Sequence, residues 1–181
     1  MNYIKTSIEG VVIIEPRRFG DDRGYFMETF RRDEFKANVA DVDFVQENES
    51  FSTYGVLRGL HFQKGEFSQA KLVRVSRGCV LDVAVDLRKD SPTFGQYVAV
   101  ELSADNGLQL YIPRGFAHGF AVLSDVAQFQ YKVDNIYAPQ SECSLRFDDP
   151  ALSIDWRIPR DKMVLSPKDL AALPFDSIPT F

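Results

Sequence analysis

The residues best suited to chemistry lie between Gly55 and Val75, in the segment GVLRGLHFQKGEFSQAKLVRV. His61, one of two histidines in the chain, closely follows Arg58, and Lys71 opens the next apolar run. A histidine side chain is suited to act as a base near neutral pH, and the two cations could meet an anionic ligand. The same segment could equally be an ordinary hairpin with solvated charges and a histidine satisfied in the core.

Two polar side chains fall on apolar strand faces, because alternate residues of a strand point to the same side. Lys71 shares a face with Val73 and Val75, and Tyr131 shares one with Phe129. Burying a lysine without a partner is costly, so Lys71 is the stronger indication of a functional site. Tyr131 could instead be a core tyrosine with a bonded hydroxyl.

In a regular strand, His61 and Arg58 would point to opposite faces. Regular alternation places His61 on the face of Leu57 and Gly59 and turns Arg58 to the other face. If both side chains contact one ligand, the strand must be bulged, or Arg58 must serve a neighbouring element. A close approach of the backbone at Gly59 favours a bulge.

The second histidine, His118, lies in the segment GLQLYIPRGFAHGF (107–120). Its spacing resembles the second motif of the cupin double-stranded β-helix, in which a turn at Pro113 and Gly115 aims the histidine into a barrel. The first cupin motif usually supplies His-x-His and a glutamate, whereas here only His61 is present. A catalytic metal needs three protein ligands, so the sequence favours a metal-free cupin that uses a histidine as a base, although Asp or Glu could substitute.

The elements that position these residues are mainly strands. From Leu57 to Phe147, short runs rich in Val, Leu, Phe and Tyr alternate with turn residues, which predicts a sandwich or small barrel. Earlier strands are expected at 10–14 and 25–30. Short helices are expected at 33–39, with Asp33 as N-cap, and at 167–173, with Ser166 as N-cap. We expect residues 1–181 to form one all-β domain.

Composition narrows the class of protein. The chain has 181 residues and a net charge of −5, which argues against generic nucleic-acid binding. We expect Cys79 and Cys143 to be reduced thiols. The sequence has neither a signal-like segment nor a long apolar stretch, so we expect a soluble, cytoplasmic protein without a membrane partner. It also lacks a Gly-rich dinucleotide fingerprint.

Longer strings occur in one order along the chain. They are GDDRGYFMETF (20–30), FVQENES (44–50), GVLRGLHFQ (55–63), QAKLVRV (69–75), DVAVDLRKDSPTFGQY (82–97), IPRGFAHGF (112–120) and QYKVDNIYAP (130–139). Together with the region of Trp156 and the segment 165–169, they resemble the dTDP-4-dehydrorhamnose 3,5-epimerase family over almost the whole chain. One such string is weakly specific, whereas this many in order are strongly specific.

The resemblance implies a metal-free cupin jelly roll without a cofactor, forming a homodimer with shared active sites. It implies conversion of dTDP-4-dehydro-6-deoxy-D-glucose to dTDP-4-dehydro-L-rhamnose by inversion at C3 and C5, in dTDP-L-rhamnose biosynthesis. Exchange of strands between subunits in this family would account for Arg23 and Glu28, and could extend to Arg58.

The resemblance also implies roles for individual residues. His61 matches the base that removes the carbon-bound protons, and Asp169 the carboxylate that partners it. Tyr131 matches the acid on the opposite face of the sugar, and Lys71 the cation near the C4 oxygen. The positions that match sugar-nucleotide contacts are Arg23, Glu28, Gln46, Asn48, Arg58, His118, Glu142 and Lys168, with Tyr137 stacked on the thymine.

One departure from the family is visible. The family usually reads Gln-Asp-Asn-His-Ser where this chain has Gln46-Glu47-Asn48-Glu49-Ser50, so the amides are kept while Glu49 replaces a histidine. Other functions also stay open at this point: epimerisation at C3 or C5 alone, ketoisomerisation of a related sugar nucleotide, or a non-catalytic sugar-nucleotide-binding jelly roll.

Overall fold

The computed structural model describes residues 1–181, in thirteen β-strands and two α-helices. The strands are β1 (Asn2–Lys5), β2 (Val12–Glu15), β3 (Arg18–Asp21), β4 (Gly24–Met27), β5 (Gln46–Thr53), β6 (Leu57–Gln63), β7 (Lys71–Arg77), β8 (Cys79–Asp86), β9 (Tyr97–Ser103), β10 (Gln109–Ile112), β11 (Phe116–Val122), β12 (Val126–Val133) and β13 (Glu142–Ser144). The helices are α1 (Arg32–Asn38) and α2 (Pro167–Leu170). No helix combines the length and apolar character needed to cross a membrane.

Two sheets form the body of the protein. One has the strand order β1-β2-β10-β7-β12-β5 and the other β13-β6-β11-β8-β9. Their facing sides share one buried cluster that includes Val73 and Phe129 from the first sheet and Ala84 and Phe120 from the second. The predicted all-β jelly-roll class is therefore confirmed. Strands β3 and β4 pair only with each other, as a separate hairpin.

Further apolar clusters cover the outer faces of the sheets. Against the five-stranded sheet, the C-terminal segment packs Phe147 and Trp156 onto Leu81 and Val83. Against the six-stranded sheet, α1 buries Phe35 beside Tyr111, with ring centroids 5.2 Å apart. Buried apolar clusters therefore lie on the outer face of each sheet as well as between the two sheets.

The predicted helices are present, with corrections at their ends. The first begins at Arg32 and its N-cap is Arg31, so the prediction of Asp33 as N-cap was wrong. Asp33 lies instead in the first turn, where a carboxylate is favoured by the helix dipole and accepts a hydrogen bond from Arg31. Ser166 is confirmed as the N-cap of α2, which ends at Leu170 rather than at 173.

The two early strands are shorter than predicted. Strand β2 starts at Val12 because Gly10, with φ of +91°, belongs to the preceding turn. Strand β4 ends at Met27, before the predicted end at Phe30. The side chain of Phe30 packs instead beside Phe35 and Phe44, with both ring-centroid distances at 5.6 Å.

Strand β6 is bulged where it meets β11. His118 pairs with His61 and Phe120 with Arg58, so two steps along β11 correspond to three along β6. At Gly59, φ is +133° and an added Cβ would lie 2.5 Å from the Cα of Gly119, so the backbones approach too closely for a side chain. Of the two alternatives that the sequence left open, a bulge in β6 or an Arg58 that serves a neighbouring element, the structure shows the bulge.

The bulge changes the assignment of faces. The prediction that His61 shares a face with Leu57 was wrong, because the extra residue shifts the alternation. Leu57 and Leu60 pack into the outer cluster, while Arg58 and His61 both line a cavity between the sheets.

Candidate active site

A cavity of about 570 Å³ opens between the two sheets. The six-stranded sheet contributes Lys71 and Tyr131, and the five-stranded sheet contributes His61 and His118. Helix α2 closes one side with Asp169. Every residue for which the resemblance implies a catalytic role therefore borders one space.

His61 and Asp169 form a hydrogen-bonded pair, with 2.7 Å between His61 Nε2 and Asp169 Oδ1. The hydroxyl of Ser166 donates to Asp169 Oδ2 at 2.6 Å, and the Gly59 N–H donates to Oδ1 at 3.4 Å. Burial acts to raise the pKa of Asp169, but the hydrogen bonds from His61 and Ser166 outweigh it, and the pKa is lowered. The carboxylate is thus held ionised against one ring nitrogen of His61, which leaves Nδ1 available.

Lys71 opens β7 and points into the cavity. Burial lowers its pKa to about 8, against the opposing effect of the negative charges of Asp82 and Glu142. An ammonium with this pKa is charged at neutral pH. The negative charges of Asp82 and Glu142 offset only part of the cost of its burial, so Lys71 is suited to stabilise negative charge on a ligand.

A second histidine–carboxylate pair lies beside the first, because His118 on β11 is the register partner of His61 on β6. Asp82 is fully buried, and its two carboxylate oxygens lie 2.9 and 3.1 Å from His118 Nε2. Burial lowers the pKa of His118 despite the attraction of Asp82, so His118 is a neutral imidazole at neutral pH. No group of three or more His, Cys, Asp or Glu side chains is arranged to hold a metal ion.

Asp82 was not predicted as a site residue from the sequence. The signal was available, because alternation in β8 places this residue on the face of Val80 and Ala84, which point into the core between the sheets. A carboxylate in the middle of an apolar strand is rarely buried without a partner or a function.

Tyr131 lies on β12 in the six-stranded sheet, across the cavity from His61. It packs beside Phe129, with ring centroids 6.1 Å apart, and its register partner on β5 is Asn48. Burial raises its pKa, so its hydroxyl is protonated at neutral pH and can donate a proton. The imidazole of His61 and the phenol of Tyr131 thus face the cavity from opposite walls.

A second compartment of about 330 Å³ adjoins the first and also borders His61, Lys71 and Tyr131. Its remaining polar lining consists of Gln46, Asn48, Gln63, Gln69, Tyr137 and Glu142. The Tyr137 hydroxyl donates to Glu142 Oε2 at 2.7 Å, and the Gln46 amide donates to Asn48 Oδ1 at 3.0 Å. This compartment offers amides and an exposed aromatic ring, whereas the first holds the pair of His61 and Asp169.

Two cations border the first compartment. The Arg58 Nε donates to Ser52 Oγ at 3.2 Å, which holds its guanidinium near β5. Lys168 forms an ion pair with Glu142 and remains half exposed. Both side chains can bind an anionic group of a ligand in this compartment without movement of the backbone.

Arg23 and Glu28 lie outside the cavity of their own chain. Arg23 sits in the turn of the β3–β4 hairpin with its side chain 89% exposed, paired with Asp21. Glu28 follows β4 and is exposed as well. Of the thirteen predicted site residues, these two line neither compartment, and the other eleven line one or both.

Glu49, which departs from the family pattern, does not face the cavity. It alternates with the inward residues of β5 and is exposed on the outer face. Its carboxylate accepts hydrogen bonds from Gln128 at 2.8 Å and Gln130 at 2.7 Å, both on the neighbouring strand β12. The substitution therefore leaves the lining formed by Gln46 and Asn48 intact.

The chain is similar to known proteins of one family. The family model described as dTDP-4-dehydrorhamnose 3,5-epimerase matches residues 5–177. A dTDP-4-dehydrorhamnose 3,5-epimerase of Escherichia coli K12 is 53% identical, over 98% of this chain and 96% of that protein. A crystal structure of dTDP-6-deoxy-D-glucose-3,5-epimerase from Legionella pneumophila, in complex with dTDP-4-keto-L-rhamnose, is 49% identical with a TM-score of 0.95, covering 98% of this chain and 94% of that one.

A more distant relative has a narrower activity. The crystal structure of a 3′-monoepimerase from Streptomyces bikiniensis in complex with dTDP-quinovose is 35% identical, with a TM-score of 0.88, over 96% of this chain and 88% of that one. The same fold thus accommodates inversion at one carbon or at two.

Proposed function

The chain belongs to the dTDP-4-dehydrorhamnose 3,5-epimerase family, and we propose that it inverts C3 and C5 of dTDP-4-dehydro-6-deoxy-D-glucose to give dTDP-4-dehydro-L-rhamnose. It is an isomerase of the dTDP-rhamnose pathway. The observation that carries the proposal is the placement of His61 and Tyr131 on opposite walls of one cavity. Inversion at carbon requires a base on one face of the sugar and an acid on the other.

The proposed reaction begins with proton removal by His61. The C4 ketone acidifies the hydrogens on C3 and C5, because the electrons of the broken C–H bond delocalise onto the C4 oxygen as an enolate. Asp169 holds the Nε2 side of His61, so Nδ1 takes the proton and the carboxylate stabilises the imidazolium that forms. His61 then returns this proton to solvent before the second carbon reacts.

Lys71 and Tyr131 complete the proposed reaction. The buried Lys71 ammonium would offset the negative charge of the enolate oxygen. The Tyr131 hydroxyl then delivers its proton to the carbon from the face opposite His61, and the enolate electrons form the new C–H bond. The Tyr131 phenolate takes up a proton from solvent before the next round. Two such rounds, one at each carbon, invert C3 and C5 with no net gain or loss of electrons.

The sugar nucleotide is proposed to span both compartments. The hexose would lie among the acid–base groups, and the nucleotide would lie in the compartment of Gln46, Asn48 and Tyr137, where the exposed aromatic ring can stack on a base. Arg58 and Lys168 would bind the diphosphate, because guanidinium and ammonium groups form charge-assisted hydrogen bonds with phosphate oxygens.

A homodimer with shared sites is part of the proposal, with residues 1–181 of each chain acting as one domain. The β3–β4 hairpin pairs with no other strand of its chain and exposes Phe19, Tyr25 and Phe26 by 50, 59 and 70%. Contiguous exposed aromatic rings are typical of an interaction surface. Docking of this hairpin on a second copy would carry Arg23 and Glu28 to the partner's cavity.

Proton exchange with solvent tests the catalytic proposal. The enzyme is incubated with dTDP-4-dehydro-6-deoxy-D-glucose in D₂O, and the exchanged carbon-bound hydrogens are counted by NMR. Exchange at both C3 and C5 supports the proposal, and His61→Asn should abolish both. Exchange at one carbon favours the monoepimerase alternative, which the Streptomyces relative makes the second candidate. No exchange would remove the catalytic function and leave a binding protein.

A further inference from the structure

Strand β5 presents a row of polar side chains to the interior. Its alternation turns Gln46, Asn48, Ser50 and Ser52 inward, while the residues between them are exposed. Within this row, Gln46 donates to Asn48, and Ser52 accepts from Arg58. Ser50 is the exception, since its hydroxyl is buried and has no hydrogen-bond partner within the chain.

An unpartnered hydroxyl in this position is a disadvantage to the folded protein. Burial takes the hydroxyl out of water, and the chain supplies no replacement partner, which destabilises the fold unless a molecule in the cavity supplies one. The residue opposite Ser50 on β12 is Phe129, a buried aromatic side chain that offers no acceptor. The fold by itself therefore gives no reason for a hydroxyl here, and an alanine would fit the same space.

The position of Ser50 suggests what the hydroxyl binds. Ser50 lines the compartment that contains His61, Lys71 and Tyr131, and it is absent from the lining of the compartment that contains Gln46, Asn48 and Tyr137. It follows Asn48, the register partner of Tyr131, by two residues on the same face. Serine has three staggered χ1 positions, so the hydroxyl can turn toward a ligand without movement of the backbone.

We propose that Ser50 is a substrate-binding residue whose hydroxyl forms a hydrogen bond with an oxygen atom of the hexose. The inference rests on the proposed function, because it assumes that the hexose occupies the compartment of His61 and Tyr131. Ser50 thereby acts as a recognition group for the sugar and leaves the nucleotide contacts to Gln46 and Asn48.

Calorimetric titration of Ser50→Ala tests the inference with two ligands, dTDP-quinovose and dTDP. The first carries a 6-deoxyhexose without a ketone, so it binds without turnover, and the second lacks the sugar. Loss of one neutral hydrogen bond should weaken dTDP-quinovose binding by about 3- to 10-fold. Binding of dTDP should be unchanged. Thr53→Ala, which removes a hydroxyl from the exposed face of the same strand, should alter neither affinity.

Thermal unfolding of Ser50→Ala separates binding from a structural role. Removal of an unpartnered hydroxyl should leave Tm unchanged or raise it, whereas a hydroxyl that stabilises the fold would lower Tm on removal. Equal weakening of both ligands would place Ser50 at the diphosphate and overturn the inference, as would unchanged affinity for both. Failure of the proposed function is distinguishable, because the wild-type protein would then fail to exchange protons or to bind dTDP-quinovose at all.

Discussion

Asp169 binds His61 across 108 residues of sequence, with 2.7 Å between the carboxylate Oδ1 and the imidazole Nε2. The same carboxylate completes the capping box of α2, in which Ser166 is the N-cap. One side chain therefore orients the proposed base and fixes the start of the helix that closes the cavity. These two tasks can be separated by mutation.

Asp169→Asn should reduce the rate of C–H exchange by about 10³- to 10⁴-fold, the scale of loss when a histidine base keeps its position but loses its carboxylate partner. The asparagine preserves the size of the side chain while removing the charge that stabilises the imidazolium. The measurement is the initial rate of deuterium incorporation at C3 and C5, followed by NMR.

Ser166→Ala is the matched control, because it removes the N-cap hydroxyl and leaves the contact between His61 and Asp169. It should lower the free energy of unfolding by about 1 kcal/mol, the usual value of a serine cap. Its exchange rate should stay within about 10-fold of wild type, since the charge beside His61 is retained. A loss as large as that of Asp169→Asn would attribute the effect to the helix rather than to the carboxylate.

The activity should fall as pH rises through about 8, because burial lowers the pKa of Lys71 to about 8. Below this pH the ammonium is charged and can offset the enolate; above it, the neutral amine cannot. The measurement is kcat/KM as a function of pH, whose decline on the alkaline side (the alkaline limb) reports the pKa of Lys71 in the free enzyme. In Lys71→Arg the guanidinium stays charged, so the alkaline limb near pH 8 should be absent whatever the absolute rate.

Asp82→Asn should move that alkaline limb to lower pH. The negative charge of Asp82 opposes the effect of burial and raises the pKa of Lys71. An amide keeps the shape of the side chain but removes the charge, so the ammonium loses its proton more easily. An alkaline limb that stays in place would show that the charge of Asp82 does not act on Lys71, and a move to higher pH would contradict the sign of the proposed effect.

Tyr131→Phe should separate proton removal from inversion. The base and its carboxylate are untouched, so exchange of deuterium into the substrate should continue, with the proton returned from the His61 side. Net formation of the L-sugar should fall by about 10²- to 10⁴-fold, the usual contribution of a positioned acid. Both quantities can be measured in one NMR experiment. Unimpaired inversion would exclude Tyr131 from the mechanism.

The strand-rich fold could be predicted because period-two alternation and turn residues are local properties of the sequence. Alternation alone assigned Lys71 and Tyr131 to the apolar faces of their strands, and in the structure both side chains line the cavity between the sheets. Ser166 could be predicted as an N-cap because its partner Asp169 is only three residues away.

Features that depend on distant contacts were harder to predict. His61 was assigned to the wrong face because a bulge adds one residue to β6, and the bulge depends on the approach of Gly59 to Gly119 in another strand. Asp82 gave a local signal, but its partner His118 is 36 residues away. The pairing of His61 with Asp169 came only from the family resemblance.

The proposed exchange of hairpins predicts which pairs of mutant subunits can be active. Arg23 lies on the β3–β4 hairpin, away from the cavity of its own chain, whereas His61 lies inside it. A heterodimer of His61→Asn with Arg23→Glu would then contain one site with both defects and one site with none. After co-expression with two affinity tags, it should show about half of the wild-type activity, since one of its two symmetric sites is intact.

The matched heterodimer joins a wild-type subunit to a subunit that carries both substitutions. If the hairpin serves the partner, each site of this heterodimer receives one defect, and the activity should be close to that of the single-mutant homodimers. The two heterodimers contain the same substitutions in the same numbers, so a difference between them can come only from which chain supplies Arg23. The reverse order of activities would assign Arg23 to the site of its own chain. Half activity in both would remove Arg23 from the site, because His61 alone would then decide the outcome.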